Sequence, residues 1–355
     1  MPNYSKKSLK GNVMTVCGPI NPKDLGRVIC HEHLLIDFRV VLNEPPNKKD
    51  IHYMKEKINL TNIGWIRTYW NSNEDNLLLE DINDSIEEMT DFRLNGGHSL
   101  VEVTPLGPTR LENQHKKLKL ISEKTGINII MGTGFYVDNS LPDYFNAKSV
   151  EELASIIIED ILKGNNGVHS GIIGEVGCSF PLTENEKKSL KSAILAQKET
   201  GSAILIHPGR HESSPSEIID FIQSEDGELS RTIIGHIERT LYDYNNLELL
   251  AKTGVYLNFD QLGIESSYYP LNPKKYMPSD HQKLEFIKAI SDAGFNNKIL
   301  LGHDIYSKNR LKKYGGHGYS HAFESLLDRM ETIGMSKEKI NDIITLNPQK
   351  ILTFE

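Results

Sequence analysis

The sequence predicts a single (β/α)8 barrel, which is an α/β fold of the TIM-barrel type with elaborated loops at its C-terminal face. Eight short apolar runs, rich in β-branched residues, recur along the 355 residues, and helical patterns lie between them. The runs are continuously apolar rather than alternating, which is typical of a parallel sheet covered on both faces. Eightfold alternation of strand and helix favours a barrel, and an open doubly wound sheet is the alternative.

The predicted strands are bounded by signals that can be followed in chain order. The eight runs are residues 27–33, 98–104, 126–134, 171–177, 201–207, 231–236, 254–260 and 298–304. Residues 80–95, between the first two runs, place apolar side chains near one face of a helix. Thr183 and Glu186 form a capping box for a helix that runs to Thr200, and Gly201 follows where a helix end favours glycine.

Two long irregular segments are predicted to elaborate the mouth of the barrel. Residues 38–78 follow the first strand and are too long for an ordinary strand–helix loop. Residues 305–320 follow the eighth strand and are rich in glycine, and two helical segments, about 320–333 and 336–345, close the chain. Because no linker or low-complexity tract interrupts the sequence, residues 1–355 are predicted to form one domain.

Composition excludes several classes of protein. Forty basic and 48 acidic residues give a net charge of −8, which argues against a general nucleic-acid or anionic-membrane binder. Three cysteines cannot form a disulfide framework and suit a reducing compartment, so we expect a cytoplasmic protein. The N-terminus has no apolar secretory core, and no run is long enough to span a bilayer.

The predicted strand ends carry side chains that bind metals. Histidines and carboxylates end five of the eight runs: His31 and His33, Glu175, His207, His236, and Asp304. Two histidines at positions i and i+2 of a strand point to the same face, so His31 and His33 can reach one point. Six ligands exceed the need of one tetrahedral zinc, so the set favours two ions, and Glu175 has the two oxygens that a bridge requires.

Several segments resemble the phosphotriesterase family of the amidohydrolase superfamily. They are GRVICHEHLLID (26–37), GIIGEVGCSFPLTENEK (171–187), TGSAILIHPGR (200–210), IIGHIERT (233–240) and LLGHDIY (300–306). The similarity covers nearly the whole chain. GEVGCSFPLT, AQKETG and IHPGR make it most similar to the branch called phosphotriesterase-related proteins.

The resemblance implies a barrel hydrolase with a binuclear centre. By motif match, His31, His33 and Asp304 hold the more buried ion, and His207 and His236 hold the more exposed one. A bridging side chain and a bridging hydroxide join the ions. Many relatives use a carboxylated lysine as this bridge; here the matching residue is Glu175. The expected cofactors are two divalent ions, Zn²⁺ first, with Mn²⁺, Co²⁺ and Fe²⁺ as alternatives, and Asp304 is also the expected catalytic proton acceptor.

Three further residues are candidates for substrate binding. Arg210 and Arg239 each follow a predicted ligand by three residues, and a guanidinium matches carboxylate, sulfonate or phosphate oxygens. An aspartate is expected near the place of Arg239 in organophosphate-cleaving and lactonase relatives. The alternative for Arg239 is a salt bridge with Glu238 or Asp243. Tyr136 follows the third strand and is expected at the same mouth.

Seven other residues lie near the predicted site, and each has a structural interpretation. Three residues of the 305–320 loop could line the mouth or anchor the loop: Tyr314, His317 and Tyr319. Glu32 is either functional or a structural acceptor, and His303 is expected to be packed. Cys30 is expected in the core, and Cys178 is expected to be a buried thiol because the sequence places no base beside it.

The sequence therefore predicts a hydrolase that attacks a small ester or amide. An N-acylated or otherwise anionic small molecule is the expected substrate, with a lactonase or phosphotriesterase acting on a neutral ester as the alternative. A binding protein on an inactive barrel would have lost ligands, and all six are present. A small-molecule substrate and, through exposed barrel faces, a homodimer are the expected partners.

Overall fold

The eight apolar runs form eight parallel strands in a computed structural model that describes residues 3–355. The strands of the chain are β1 (Val13–Thr15), β2 (Gly18–Ile20), β3 (Val28–Glu32), β4 (Ile36–Asp37), β5 (Leu78–Leu79), β6 (Ser99–Glu102), β7 (Asn128–Thr133), β8 (Ile172–Gly177), β9 (Ile204–His207), β10 (Thr232–Ile234), β11 (Tyr256–Phe259) and β12 (Ile299–Leu301). Strand β3 and strands β6 to β12 pair in chain order, each parallel to the next. The barrel prediction is confirmed.

Helices follow most of the barrel strands and cover the outside of the sheet. They are α1 (Lys6–Leu9), α2 (Ile63–Thr68), α3 (Ile82–Leu94), α4 (Gln114–Thr125), α5 (Val150–Leu162), α6 (Glu184–Thr200), α7 (Ser214–Ser224), α8 (Tyr244–Lys252), α9 (Asp280–Ile290), α10 (Leu327–Thr332), α11 (Lys337–Asn341) and α12 (Asn347–Leu352). Within the described residues 3–355, no helix combines the length and the apolar content that crossing a bilayer requires.

The capping signals of α6 lie where the sequence predicts them. The Thr183 side chain accepts a hydrogen bond from the Glu186 backbone, and the Glu186 side chain completes the capping box. At the other end Gly201 adopts a φ of 75°, a left-handed conformation that glycine adopts without a steric penalty. The closing segment differs from the prediction, because π-helical turns at 322–326 and 342–346 interrupt it and α12 extends it to Leu352.

A side chain joins the first barrel strand to the end of the last one. Asp304 donates its backbone N–H to the carbonyl of His31 at 3.1 Å. The buried Glu32 carboxylate accepts hydrogen bonds from the backbone N–H groups of His303 at 2.8 Å and Ile305 at 3.0 Å. It also accepts one from Nδ1 of the His303 ring at 2.7 Å. The observed position of Glu32 is that of the structural acceptor, and His303 is packed as expected.

The two long segments both reach the mouth of the barrel. Strands β4 and β5 pair antiparallel at the base of the 38–78 segment, which contains α2. Phe38 and Trp70 from this segment stack with a centroid separation of 6.5 Å, and Tyr306 of the 305–320 segment packs 4.9 Å from each of them. This aromatic cluster, consisting of Phe38, Trp70 and Tyr306, stands over the carboxyl ends of the strands.

Candidate metal centre

The carboxyl ends of the barrel strands bring all six predicted ligands together in the interior. His31, Glu175 and His207 lie in β3, β8 and β9, while His236 and Asp304 come two and three residues after the ends of β10 and β12. His33 comes just after β3, and none of the six side chains belongs to a residue more than 5% exposed. His236 and Asp304 both have left-handed backbones, with φ of 53° and 52°, which non-glycine residues rarely adopt.

Three of these residues form a first ligand group. The donor atoms of His31, His33 and Asp304 all lie within 4.8 Å of one another. Nε2 of His31 is 3.5 Å from Oδ1 of Asp304, and Nε2 of His33 is 3.3 Å from the same oxygen. The two imidazoles therefore turn the same ring nitrogen toward one carboxylate oxygen, as the i and i+2 spacing predicts.

A second ligand group lies beside the first one. It contains Glu175, His207 and His236, with donor atoms that are also within 4.8 Å of one another. Oε2 of Glu175 is 2.7 Å from Nδ1 of His207 and 3.3 Å from Nε2 of His236. Oε1 of Glu175 is 3.6 Å from Nε2 of His33 in the first group. Oε2 is also 3.7 Å from Nε2 of His31, so the carboxylate of Glu175 lies between the two groups.

The charges and unsatisfied atoms of the cluster fit a cation. Nε2 of His31 is buried and makes no hydrogen bond within the described chain, although it points at two carboxylates. Burial raises the pKa of Glu175, but the positive fields of His207 and His31 outweigh it and hold the pKa well below the usual range. Burial lowers the pKa of His31, but Asp260, Glu175 and Asp304 raise it to about 10. Ionised carboxylates among imidazoles are a donor set for divalent ions.

The outward nitrogens of three of the histidines contact residues that the sequence analysis missed. Nδ1 of His31 and Nδ1 of His236 both face Asp260, at 2.9 and 2.7 Å. Nδ1 of His33 lies 3.0 Å from the hydroxyl of Thr104. A signal for Asp260 was present, because it ends the seventh run just as the predicted ligands end theirs. Thr104 ends the second run, but threonine is not a residue type that marks a metal site.

A small cavity adjoins the two ligand groups. Its volume is about 20 Å³, and it is lined by His33, Phe38, Trp70, Tyr136, Glu175, His207, Arg210, Arg239, Gln261, Tyr269, Leu271, Asp304 and Tyr306. All three predicted substrate-binding residues therefore lie beside the predicted ligands. We call this space the inner cavity. Gln261, another residue that the sequence analysis missed, donates from Nε2 to Oδ2 of Asp304 at 3.3 Å.

The two arginines of the inner cavity are not neutralised by carboxylates. Arg239 is 2% exposed; its Nη2 donates to the carbonyl of Pro208 at 3.1 Å and lies 3.0 Å from Nε2 of His207. Its Nε and Nη1 atoms have no hydrogen-bond partner among residues 3–355, so the predicted alternative of a salt bridge to Glu238 or Asp243 is not what the structure has. Arg210 donates from Nε to the hydroxyl of Tyr269 at 2.8 Å.

Tyr136 presents a neutral hydroxyl to the same space. Burial, followed by the negative charge of Glu175, raises its pKa well above the usual range. The hydroxyl lies 3.2 Å from Nδ1 and 3.4 Å from Nε2 of His207. Tyr136 is therefore a hydrogen-bonding group at the edge of the second ligand group rather than an anion.

A larger cavity of about 310 Å³ lies outside the inner one and shares Trp70, Gln261, Tyr269 and Tyr306 with it. His317 lines this outer cavity. Tyr319 donates to the carbonyl of His33 and is buried, so it anchors the loop. Tyr314 donates instead to Asp84 of α3 at 3.2 Å and lines neither cavity.

The cysteines near the site have no catalytic geometry. Cys30 and Cys178 are each 1% exposed. Burial raises the pKa of both thiols, so neither is a thiolate at neutral pH. The predicted buried positions of both residues are confirmed.

Known proteins resemble the chain along nearly its whole length. Residues 11–352 match the sequence profile of the phosphotriesterase family. The chain is 41% identical over 350 residues to a phosphotriesterase-related protein of Nematostella vectensis, covering 97% of this chain and 99% of that protein. It is 40% identical to the N-acetyltaurine hydrolase of Bos taurus, covering 98% and 99%. The crystal structure of a resiniferatoxin-binding protein from Rhodobacter sphaeroides superposes with a TM-score of 0.93 at 29% identity, covering 99% and 98%.

Proposed function

Because the chain belongs to the phosphotriesterase family of metal-dependent hydrolases, we propose that it cleaves the amide bond of small N-acylated compounds with an anionic tail. N-acylated amino acids and amino sulfonates are the substrate class. The observation that carries this proposal is the pair of arginines without carboxylate partners, which border the same inner cavity as the ligand groups. The relatives named N-acetyltaurine hydrolase support it, because acetyltaurine is an amide with a sulfonate tail.

The six histidine and carboxylate residues would hold two divalent ions. His31, His33 and Asp304 form one subsite, His207 and His236 form the other, and Glu175 offers one oxygen to each. When bound, the ions polarise the scissile carbonyl and activate water. Zinc suits the donor set best, and manganese, cobalt or iron are the alternatives.

Asp304 is proposed to move the proton of the reaction. Its Oδ1 faces His31 and His33, while Gln261 fixes Oδ2 by a hydrogen bond. As the water oxygen bonds to the carbonyl carbon, Oδ2 accepts the water proton. When the C–N bond breaks, the nitrogen leaves with the bonding electrons and takes that proton. The second proton of the water stays on the acyl product, so the first products are a carboxylic acid and an amine, and proton transfer between them gives a carboxylate and an ammonium group.

The guanidinium groups of Arg210 and Arg239 orient the substrate from its other end. A sulfonate or carboxylate that pairs with them places the acyl group toward the ligand groups. A charge-assisted pair of this kind contributes on the order of 1.5–3 kcal/mol. Tyr136 supplies a neutral hydroxyl to the same edge of the cavity.

A substrate screen with metal-loaded protein tests the proposal. The compounds are N-acetyltaurine, N-acetyl amino acids, the methyl ester of one of these acids, a lactone and a phosphate triester. We expect kcat/KM to be highest for the anionic amides. A preference for the lactone or the triester would replace the proposal with the neutral-ester alternative, and inactivity toward all five classes with metals bound would contradict both.

A further inference from the structure

One buried carboxylate contacts a histidine of each ligand group. Asp260 follows β11 directly and is 0% exposed. Its Oδ1 lies 2.7 Å from Nδ1 of His236 and also accepts the backbone N–H of His236 at 2.8 Å. Its Oδ2 lies 2.9 Å from Nδ1 of His31. Each oxygen of Asp260 therefore contacts a different imidazole.

The neighbouring strand ends leave room for this side chain. Gly235 precedes His236, and a Cβ atom there would lie 2.9 Å from Oδ2 of Asp260. Gly302 follows β12, and a Cβ atom there would lie 2.8 Å from Cβ of Asp260 and 3.0 Å from Cβ of His31. Two glycines thus form a space around Asp260 that any larger residue would partly fill.

We infer that Asp260 is a positioning residue shared by the two metal subsites, and that it fixes one histidine ligand in each of them. The inference rests on the proposed metal centre. Nδ1 of His236 is hydrogen-bonded to Asp260, and Nδ1 of His31 is in ion-pair contact with it at 2.9 Å without meeting hydrogen-bond geometry. A proton on each Nδ1, facing this carboxylate, leaves Nε2 unprotonated, and Nε2 is the atom that each ring turns toward the ligand groups. Carboxylates that hold histidine ligands in this way fix the tautomer and raise ligand basicity.

The other two histidine ligands, His33 and His207, do not contact Asp260 within the described residues. His33 reaches the neutral hydroxyl of Thr104, which lies 2.6 Å from Oε1 of Glu102. His207 contacts Arg239 and Tyr136 through its outward nitrogen. Loss of Thr104 should therefore affect one subsite, whereas loss of the Asp260 charge should affect both.

The experiment measures metal affinity without reference to activity. Apo protein is titrated with Zn²⁺ in metal-buffered solutions, and bound zinc is counted by elemental analysis for the wild type, Asp260→Asn and Thr104→Val. The amide introduced by Asp260→Asn keeps the shape of the side chain but offers one acceptor oxygen, so one imidazole N–H then faces an N–H group. We expect both binding steps of Asp260→Asn to weaken by roughly 10- to 100-fold, and one step of Thr104→Val to weaken.

Asp280→Asn is the matched control, because Asp280 is also buried and also pairs with a histidine, His321, at 2.6 Å. Its zinc affinity should equal that of the wild type. If Asp260→Asn does not fold, Gly235→Ala keeps the charge but places a methyl group 2.9 Å from Oδ2 of Asp260, so it should displace this carboxylate and weaken both binding steps. If both zinc affinities of a folded Asp260 or Gly235 variant stay within threefold of wild type, the inference about Asp260 is overturned and the metal centre is not. No zinc binding by the wild type would instead overturn the proposed metal centre.

Discussion

Nη2 of Arg239 lies 3.0 Å from Nε2 of His207, whereas Arg210 donates to Tyr269, which is not a ligand candidate. The two arginines of the inner cavity are therefore not equivalent. One of them touches the proposed metal centre, and the other touches the wall of the cavity. Their substitutions should differ in what they change besides substrate binding.

Arg210→Met should weaken substrate binding without changing the metal content. Loss of a charge-assisted pair should raise KM for N-acetyltaurine by roughly 10- to 100-fold, while a neutral amide of similar size should change little. Arg67→Met is the control, because Arg67 is exposed at the outer cavity. Equal increases in KM for the charged and the neutral substrate would mean that Arg210 stabilises the loop after β9 rather than binding the substrate.

Arg239→Met should raise KM for the anionic amide at least as much as Arg210→Met does, because two nitrogens of the Arg239 guanidinium have no hydrogen-bond partner in the described chain. It should also change the zinc affinity, because the contact with His207 is lost. Steady-state kinetics at saturating zinc, together with a zinc titration, separate the two effects. An unchanged KM at full zinc occupancy would contradict a substrate-binding role.

Glu175→Gln should lower the occupancy of at least one metal subsite. A neutral amide cannot present an anionic oxygen to each of two cations. Elemental analysis after gel filtration measures the effect, and Glu186→Gln, which alters a buried capping residue away from the ligand groups, is the control. Two ions per chain and full activity in Glu175→Gln would show that Glu175 is not a ligand.

Glu88→Gln should remove part of the pH dependence of stability. Glu88 is 4% exposed; burial, opposed by hydrogen bonds from the Lys312 and Lys313 backbones, raises its pKa to about 7. A carboxyl with a raised folded-state pKa binds its proton more tightly when folded, so its contribution to stability is lost as pH rises from about 4.5 to about 7. Over this pH range the free energy of unfolding of the variant should rise by up to about 3 kcal/mol relative to that of the wild type. Urea unfolding of metal-free protein at both ends of the range measures it, and a constant difference would contradict the prediction.

Glu32→Ala should destabilise the barrel where its first and last strands meet. Three donors of His303 and Ile305 would lose their acceptor in a buried place, at a cost of about 1–3 kcal/mol for each unsatisfied group. Urea unfolding of metal-free protein is the measurement. Glu331→Ala, at an exposed position on α10, should change the free energy of unfolding by less than about 0.5 kcal/mol. An equally small loss of stability in Glu32→Ala would show that the junction between β3 and the segment after β12 does not depend on this carboxylate.

The fold could be predicted from the sequence because the strands carry a local signal. Each barrel strand is a continuous apolar run, and chain order alone fixes its neighbours in a parallel barrel. The carboxyl ends of such strands lie at one face, so His31, Glu175 and Asp304 could be brought together before any coordinates were known. The approximate bounds of the strands followed from the same signal.

The rest of the site depends on contacts that no periodic pattern encodes. Trp70 and Tyr306 reach the cavity from long segments whose path is set by packing, and Tyr314 of the same loop turns away toward Asp84. Asp260 ends the seventh run, but its role becomes visible only when Nδ1 of His31 and Nδ1 of His236 are both seen to face it. Distances between strands that are remote in sequence decide such roles.

The inner cavity is the feature with the widest consequence for handling the protein. At about 20 Å³ it has room for about one water molecule. A chelator and an N-acylated substrate are both larger than this space, so either one reaches the ligand groups only when Trp70 or Tyr306 moves aside. Chelation and substrate binding should therefore be limited by the same motion of the aromatic cluster.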